Sequence, residues 1–119
     1  MAGQMVHYEI HVQDAAKAQE FWSGVFGWQF GDPMPGMDYR MAQIDDNSGA
    51  AIAGGESTKP SANVYLNVDD IDASVAKVRE LGGTADDKMP VPGHGWFAAA
   101  KDPQGVEFHL WQADPSASA

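Results

Sequence analysis

The same strand–helix–glycine pattern occurs twice along this chain of 119 residues, and an internal repeat restricts the possible folds more than any other sequence feature. The segment HYEIHVQDAAKAQEFWSGVFG, which starts at His7, aligns without gaps on NVYLNVDDIDASVAKVRELGG, which starts at Asn63. Matching residues keep the same offset: Val12 falls on Val68, Asp14 on Asp70, and Gly27 on Gly83. Each copy has one helix to cover one face of a small sheet. We therefore expect the two copies to turn their uncovered faces toward a shared cavity.

The segment VHYEIHV, from Val6 to Val12, alternates apolar and polar side chains. Successive side chains of a strand leave it on opposite faces, so this alternation predicts a half-buried strand. Its polar face carries His7, Glu9 and His11. Such a face is solvated on an ordinary antiparallel sheet, whereas in a duplicated chain it would line a cleft.

The two predicted helices have matching start and stop signals. Asp14 and Asp70 are suitable N-caps, because a carboxylate accepts from the first free amides of a helix. Gly27 allows a left-handed exit from the first helix, and Gly82-Gly83 ends the second. The apolar faces are Ala18, Phe21, Trp22, Val25 and Phe26 in the first helix, and Ile71, Val75, Val78 and Leu81 in the second. We interpret Phe21, Trp22 and Phe26 as core residues.

Short apolar runs after each helix predict further strands, at Trp28–Phe30, Tyr39–Ile44, Ala50–Gly54, Thr84–Met89, Trp96–Lys101 and Val106–Gln112. We predict an α+β fold in which two βαβββ modules form a curved mixed sheet around a cavity, with the helices outside. Module one spans residues 5–54, the linker 55–60 and module two 61–112, which together make one domain. Residues 113–119 lack an apolar period and are expected to form a flexible tail.

Charge and composition exclude several classes of partner. Seventeen acidic and seven basic residues give a formal net charge of −10. Because such a surface repels phosphate backbones, we expect no nucleic-acid partner. No apolar run approaches the roughly 20 residues of a membrane span, and no basic and apolar leader opens the chain, so we expect no membrane and a cytoplasmic location. The absence of cysteine excludes thiol catalysis.

The repeat and three of its segments resemble the vicinal oxygen chelate superfamily: VQDAAKAQEFWSGVFGW, VDDIDASVAKVRELGG and the closing GWFAAAKDPQGVEFHLWQ. That superfamily includes glyoxalase I, extradiol dioxygenases, methylmalonyl-CoA epimerase and bleomycin-resistance proteins. The resemblance covers residues 5–112. It is specific for the fold and weak for the activity, because one fold hosts many functions.

The resemblance also implies a place for a metal ion. In metal-using members the ligands come from the first and last strands of each module, and these positions match His7, Asn63, His109 and the neighbourhood of Ala53. His7 and His109 can bind a divalent metal, Asn63 is a poor ligand and Ala53 is none. Catalytic sites normally offer three protein ligands. The expected cofactor is therefore either none or one divalent ion at His7 and His109.

The remaining candidates follow from alternation in three strands, except Trp96, which is a candidate cavity aromatic. Glu9 and Glu107 are candidate general bases, because enclosure of a carboxylate moves its pKa toward the useful range; the alternative is a solvated or salt-bridged glutamate. The candidate ligand-binding residues are His11, Asn63, Tyr65, Asn67, Trp96 and Trp111. For Tyr65 and the two tryptophans, a packed wall is the competing interpretation.

Three functions are compatible with this pattern. The first is a metal-dependent lyase, epimerase or dioxygenase acting on a substrate with vicinal oxygens. The second is a metal-free protein that binds a small polar or aromatic molecule. The third is a glyoxalase-like protein that acts through protein contacts alone. The incomplete ligand set favours the second, with catalysis undecided, and aromatic residues in excess of two helices favour a homodimer.

Overall fold

The computed structural model describes residues 2–56 and 59–118. Ser57 and Thr58 of the predicted linker, and Ala119 of the predicted tail, lie outside the described residues. The contacts divide the chain into two units. The first unit comprises residues 6–63, and the second comprises residues 2–5 and 64–118. Residues 2–5 belong to the second unit through backbone hydrogen bonds, in which Gly3 donates to Asn67 and Asn67 donates to Gln4, both at 2.7 Å.

The first unit is a three-stranded mixed sheet covered by one helix. Its strands are β1 (Met5–Val12), β2 (Tyr39–Asp45) and β3 (Ser48–Gly54), and its helix is α1 (Ala15–Phe26). In the order β2-β3-β1, β3 is antiparallel to β2 and parallel to β1. A parallel pair requires a crossover, and α1 lies within the connection from β1 to β2.

Helix α1 begins and ends where the sequence predicts. The Asp14 carboxylate accepts from the Lys17 amide at 3.1 Å. Gly27 has φ +75 and its amide donates to the Ser23 carbonyl at 2.8 Å. The helix covers the apolar face of β1, where a buried core forms from Ile10, Ala15 and Ile52, with Val12, Ala18, Trp22, Trp28 and Phe30 packed against it.

Two expectations for the first unit are wrong. Phe21 and Phe26 are 60% and 55% exposed, so of the three helix aromatics only Trp22 packs on the core. Residues 28–30 are not a strand. Instead the Trp28 ring stacks on Trp22 and Phe26, with centroids 5.6 and 5.4 Å away. Ring stacking thus takes the place of a strand ladder after α1.

The second unit repeats the arrangement. Its strands are β4 (Ser61–Asn67), of which residues 64–67 belong to this unit, β5 (Thr84–Ala85), β6 (Met89–Val91), β7 (Gly95–Lys101) and β8 (Glu107–Ala113). Strand β8 is parallel to β4 and antiparallel to β7, and the short strands β5 and β6 both pair with β7. The single strand predicted at 84–89 is therefore two short strands, with residues 86–88 between them.

Helix α2 (Ile71–Glu80) covers the apolar face of the second unit. The Asp70 carboxylate accepts from the Ala73 amide at 3.1 Å, and the Gln112 side chain accepts from the Ile71 amide at 2.8 Å. The core consists of Ile71, Val75, Ala98 and Leu110, with Val68, Val78, Ala85, Trp96 and Phe108 packed against it.

The segment after β8 packs on its own unit through residue 117, which differs from the expected flexible tail. Ala117 is 4% exposed, and its carbonyl accepts from the Gly93 amide at 3.0 Å. Asp114 holds this turn, because its carboxylate accepts from the Ser116 hydroxyl at 2.6 Å and from the Trp96 indole at 3.1 Å. Short polar side chains thus order a segment that lacks an apolar period.

The predicted α+β class with a mixed sheet is confirmed, since each unit combines one parallel and at least one antiparallel strand pair with one helix. Among residues 2–56 and 59–118, no helix has the length and apolar character needed to cross a membrane.

Candidate functional site

The face of the first unit opposite α1 carries a row of polar side chains, which we call the polar row: His7, Glu9, His11, Tyr39 and Asn63. The parallel register places His7, Glu9 and His11 of β1 beside Gly49, Ala51 and Ala53 of β3. Tyr39 comes from β2, where it pairs with Ala53. Because β3 offers only glycine and alanine on this face, long side chains from β1 and β2 can meet above it.

Glu9 is the centre of the polar row. Its Oε2 accepts from the Tyr39 hydroxyl at 3.0 Å, and its Oε1 lies 2.8 Å from Nε2 of His11. A carboxylate oxygen accepts, so the proton in the contact with His11 belongs to Nε2. The amide nitrogen of Asn63 lies 3.4 Å from the same Nε2. Glu9 thus holds Tyr39 and His11 in place.

His7 occupies the other end of the row. Its Nε2 lies 3.4 Å from the Tyr39 hydroxyl and 3.9 Å from Oε2 of Glu9. Burial lowers the pKa of His7 below its ordinary 6.5, and the negative charge of Glu9 opposes this only in part. His7 is therefore neutral near pH 7, and a neutral imidazole has one nitrogen that accepts a hydrogen bond or a proton.

The side chains of His7, Glu9 and His11 are 21%, 18% and 28% exposed. They are partly withdrawn from water and yet reachable. An arrangement of this kind presents acceptors, a carboxylate and a neutral imidazole, to a bound molecule. The structure brings His7, Glu9, His11 and Asn63 together.

In the second unit, Tyr65 and His109 are neighbours across β4 and β8. Their rings stack with centroids 4.5 Å apart and an interplanar angle of 19°. The Phe97 ring lies 6.3 Å from His109 on the other side. His109 is therefore enclosed by aromatic rings.

Asn67 and Trp111 pair in the same register, on the same face as Tyr65 and His109. The Trp111 indole lies over Gly95, where an added Cβ would come within 2.8 Å of the ring. A cavity of about 220 Å³ lies beside His109. Its lining consists of Thr84, Asp86, Ala99, Ala100, Lys101, Glu107, Phe108 and His109.

Two candidate site residues lie elsewhere than expected. Trp96 packs against the α2 core, on the face opposite His109, because alternation along β7 puts it with Ala98 rather than with Phe97. Glu107 stands at the start of β8 with 64% of its side chain exposed, 3.8 Å from the Lys101 ammonium group. It borders the cavity, but its carboxylate is not enclosed, and the predicted role as general base depends on enclosure.

Sequence reasoning missed Tyr39 and Phe97. Tyr39 contacts both Glu9 and His7, and Phe97 flanks His109. Tyr39 opens a predicted strand in which Tyr39, Met41 and Gln43 share a face. That signal was present, but only the pairing register shows that this face is the one shared with His7.

The donors of the first unit do not fit a divalent metal held by three protein ligands. The family position near Ala53 offers a methyl group, and the Asn63 amide is directed at His11. Across the two described ranges, no group of three or more histidine, aspartate or glutamate side chains is arranged to hold an ion.

Comparison with known proteins agrees with this architecture. Residues 7–111 match the family described as Glyoxalase-like domain. A Mycobacterium bovis protein named "Putative glyoxylase CFP32" is 35% identical over 117 residues, which cover 89% of this chain and 44% of that protein. A glyoxylase-like domain-containing protein of Didymella fabae is 34% identical over 68% of this chain and 70% of its own length. The chain spans less than half the length of the mycobacterial relative.

Solved structures share the fold at low sequence identity. Methylmalonyl-CoA epimerase of Streptomyces coelicolor superposes with a TM-score of 0.72 at 16% identity and covers 100% of both chains. The epimerase of Mycobacterium tuberculosis gives 0.71 at 15% identity, over 95% of this chain and 89% of that one. The family match over residues 7–111 shows that the chain belongs to the glyoxalase-like domain family, and these likenesses show that it shares the fold of the methylmalonyl-CoA epimerases.

Proposed function

We propose that this glyoxalase-like chain binds a small polar or aromatic molecule at the polar row of the first unit. The observation that carries the proposal is the Glu9 carboxylate, which is 18% exposed and holds Tyr39 at 3.0 Å and His11 at 2.8 Å. Side chains already fixed by mutual contacts lose little further freedom when a ligand binds. A ligand-binding role explains best why these side chains are held in fixed positions.

The chemistry of the row indicates how a ligand would be held. Glu9 and neutral His7 accept hydrogen bonds, and the Asn63 amide can both donate and accept. His7 is also able to take up a proton from a bound molecule, which leaves room for catalysis by proton transfer. A turnover assay, which measures conversion of a bound ligand to product, tests for such catalysis.

One known neighbour supplies a probe for comparison with benzamide. One neighbouring structure is a methylmalonyl-CoA epimerase in complex with methylmalonyl-CoA. At 16% identity this likeness supports the fold alone, so methylmalonyl-CoA is a probe and not an assignment. The expectation that the polar faces of both modules line one cavity stays a prediction.

The proposal is tested by NMR on protein labelled at its four histidines. Benzamide and methylmalonyl-CoA are titrated separately, and each imidazole signal is assigned through single His→Gln variants. We expect benzamide to shift the signals of His7 and His11 in a saturable way, while His94, in an exposed loop, stays unchanged. A titration that moves neither His7 nor His11, or moves His94 equally, rules out a site at the polar row.

The alternative function, a divalent-metal-dependent lyase, epimerase or dioxygenase, requires ligands that the described residues do not supply. Elemental analysis of untagged protein soaked with nickel, zinc, manganese or iron measures this directly. We expect less than about one tenth of a metal ion per chain after dialysis, because two-ligand sites bind weakly. A stoichiometric ion would restore the metal-dependent alternative.

The homodimer and the cytoplasmic location also stay predictions. Support for association comes from α1, whose Phe21, Val25 and Phe26 are 60%, 58% and 55% exposed. Large exposed apolar side chains in one patch favour self-association. Light scattering at tens of micromolar should give twice the chain mass of 12.7 kDa; a monomer mass would contradict the prediction.

A further inference from the structure

We infer that the molecule bound at the polar row is neutral or cationic and donates hydrogen bonds, and that Glu9 discriminates against carboxylate and phosphate ligands. This inference rests on the proposed function and narrows its ligand class. It follows from where the chain's positive charges lie, from the acceptors of the row, and from the cost of placing like charges together.

Two of the three lysine and arginine residues of the first unit, Lys17 and Arg40, lie on the side of the sheet opposite the polar row. Arg40 is on the opposite face of the sheet, since its neighbours in register are Ile52 and Ile10. Its guanidinium donates to Asp38 at 2.9 Å and to Gln19 at 2.8 Å. Lys17 belongs to α1, which covers that same apolar face, and Lys59 is exposed in the segment before β4. Neither Arg40 nor Lys17 is therefore placed to receive an anion at Glu9.

The four cations of the second unit are each matched by a carboxylate within the same unit. The ion pairs are Lys77–Glu80 at 3.3 Å, Arg79–Asp87 at 3.3 Å, Lys88–Asp72 at 2.9 Å and Lys101–Glu107 at 3.8 Å. Each of these carboxylates offsets the positive charge of its partner. The whole chain carries a formal charge of −10, which adds a long-range repulsion.

The acceptors of the row favour the opposite kind of ligand. Each Glu9 oxygen has one close contact, with His11 on Oε1 and with Tyr39 on Oε2. A carboxylate has about four lone-pair sites, so each oxygen can accept a further hydrogen bond. Planar cations with paired N–H groups match a carboxylate with two parallel hydrogen bonds, and such charge-assisted bonds are the stronger ones. An anion in the same place would be desolvated beside a like charge.

The test uses three probes that share one ring and differ in charge: benzamidine is cationic, benzamide neutral and benzoate anionic. Each is titrated near pH 7.5 while the imidazole NMR signals of His7 and His11 are followed. We expect benzamidine to bind at least about tenfold more tightly than benzoate, which is about 1.4 kcal/mol, with benzamide between them. This order of affinities in the unmodified protein needs no variant.

Two variants locate the cause. Glu9→Gln keeps the shape and removes the charge, so the preference for benzamidine over benzoate should fall below about threefold. Glu20→Gln removes the same charge from the exposed surface of α1, and it should keep the full preference. Benzoate binding as tightly as benzamidine at His7 and His11 would overturn the inference and leave the proposed function standing. Failure of all three probes to move His7 or His11 would overturn both.

Discussion

The Tyr39 hydroxyl lies 3.0 Å from Oε2 of Glu9, although β3 separates their strands. Their strands are two spacings apart, about 9.6 Å, and Tyr39 pairs with Ala53 while Glu9 pairs with Ala51, so the two side chains meet diagonally above small residues. Glu9 pairs with Ala51, which has no exposed surface. The contact therefore depends on alanine at this position of β3.

Removal of the Tyr39 hydroxyl should weaken the first unit. We expect Tyr39→Phe to lower the free energy of unfolding by about 1–2 kcal/mol, because a partly buried carboxylate loses a donor. Urea denaturation measures the change. A double-mutant cycle with Glu9→Gln should give a coupling of at least about 0.5 kcal/mol. Additive effects of the two substitutions would show that the contact contributes nothing to stability.

His7 should make stability fall in acid. Burial holds its pKa in the folded chain below the 6.5 of the unfolded chain. The unfolded chain therefore binds more protons as the pH drops through about 6.5, and the free energy of unfolding declines. We expect His7→Gln to reduce this decline, and the control His94→Gln, in an exposed loop, to leave it unchanged. Equal slopes between about pH 7 and pH 5 for His7→Gln and the unmodified protein would contradict the prediction.

Gly95 should not tolerate a methyl group. An added Cβ would lie 2.3 Å from the Gln112 carbonyl oxygen and 2.8 Å from the Trp111 ring. Because the nearer atom belongs to the backbone of a paired strand, we expect Gly95→Ala to cost about 1–3 kcal/mol. Gly24 in α1 has no atom within 4 Å of its added Cβ, so Gly24→Ala should instead stabilise by about 0.5–1 kcal/mol. Thermal unfolding of both variants checks the opposite signs.

The two N-caps should contribute alike, since they occupy matching places in the repeat. Asp14→Ala and Asp70→Ala should each lower stability by about 1 kcal/mol, because a helix amide loses its acceptor. Asp14→Asn provides the control, as asparagine caps a helix about as well as aspartate. If the asparagine and alanine variants prove equally unstable, charge or packing rather than the cap is responsible.

Local features of the fold were predictable from the sequence. The cap at Asp14, the exit at Gly27 and the alternation of β1 depend on residues a few positions apart, which a sequence displays directly. The polar set of His7, Glu9 and His11 follows from the same alternation.

Features that depend on tertiary register were not predictable. The helical stripe of α1 shows which residues share a face, but not how much of that face the sheet covers, so Phe21 and Phe26 were taken for core. Tyr39 joins Glu9 only because β3 is inserted between β2 and β1. The side of the sheet on which Trp96 lies depends on which residues of β7 face α2. The sequence of β7 does not show this, because apolar and small residues occur on both of its faces.

The run of small side chains on β3 separates two properties of the site that usually change together. Hydrogen-bonding groups come from β1 and β2, while the height of the floor beneath them is fixed by Gly49, Ala51 and Ala53. Replacing Ala53 by valine would reduce the room above the sheet without changing the chemical identity of any donor or acceptor of the polar row. Ligand size and ligand chemistry can therefore diverge independently among related chains, through substitutions on different strands.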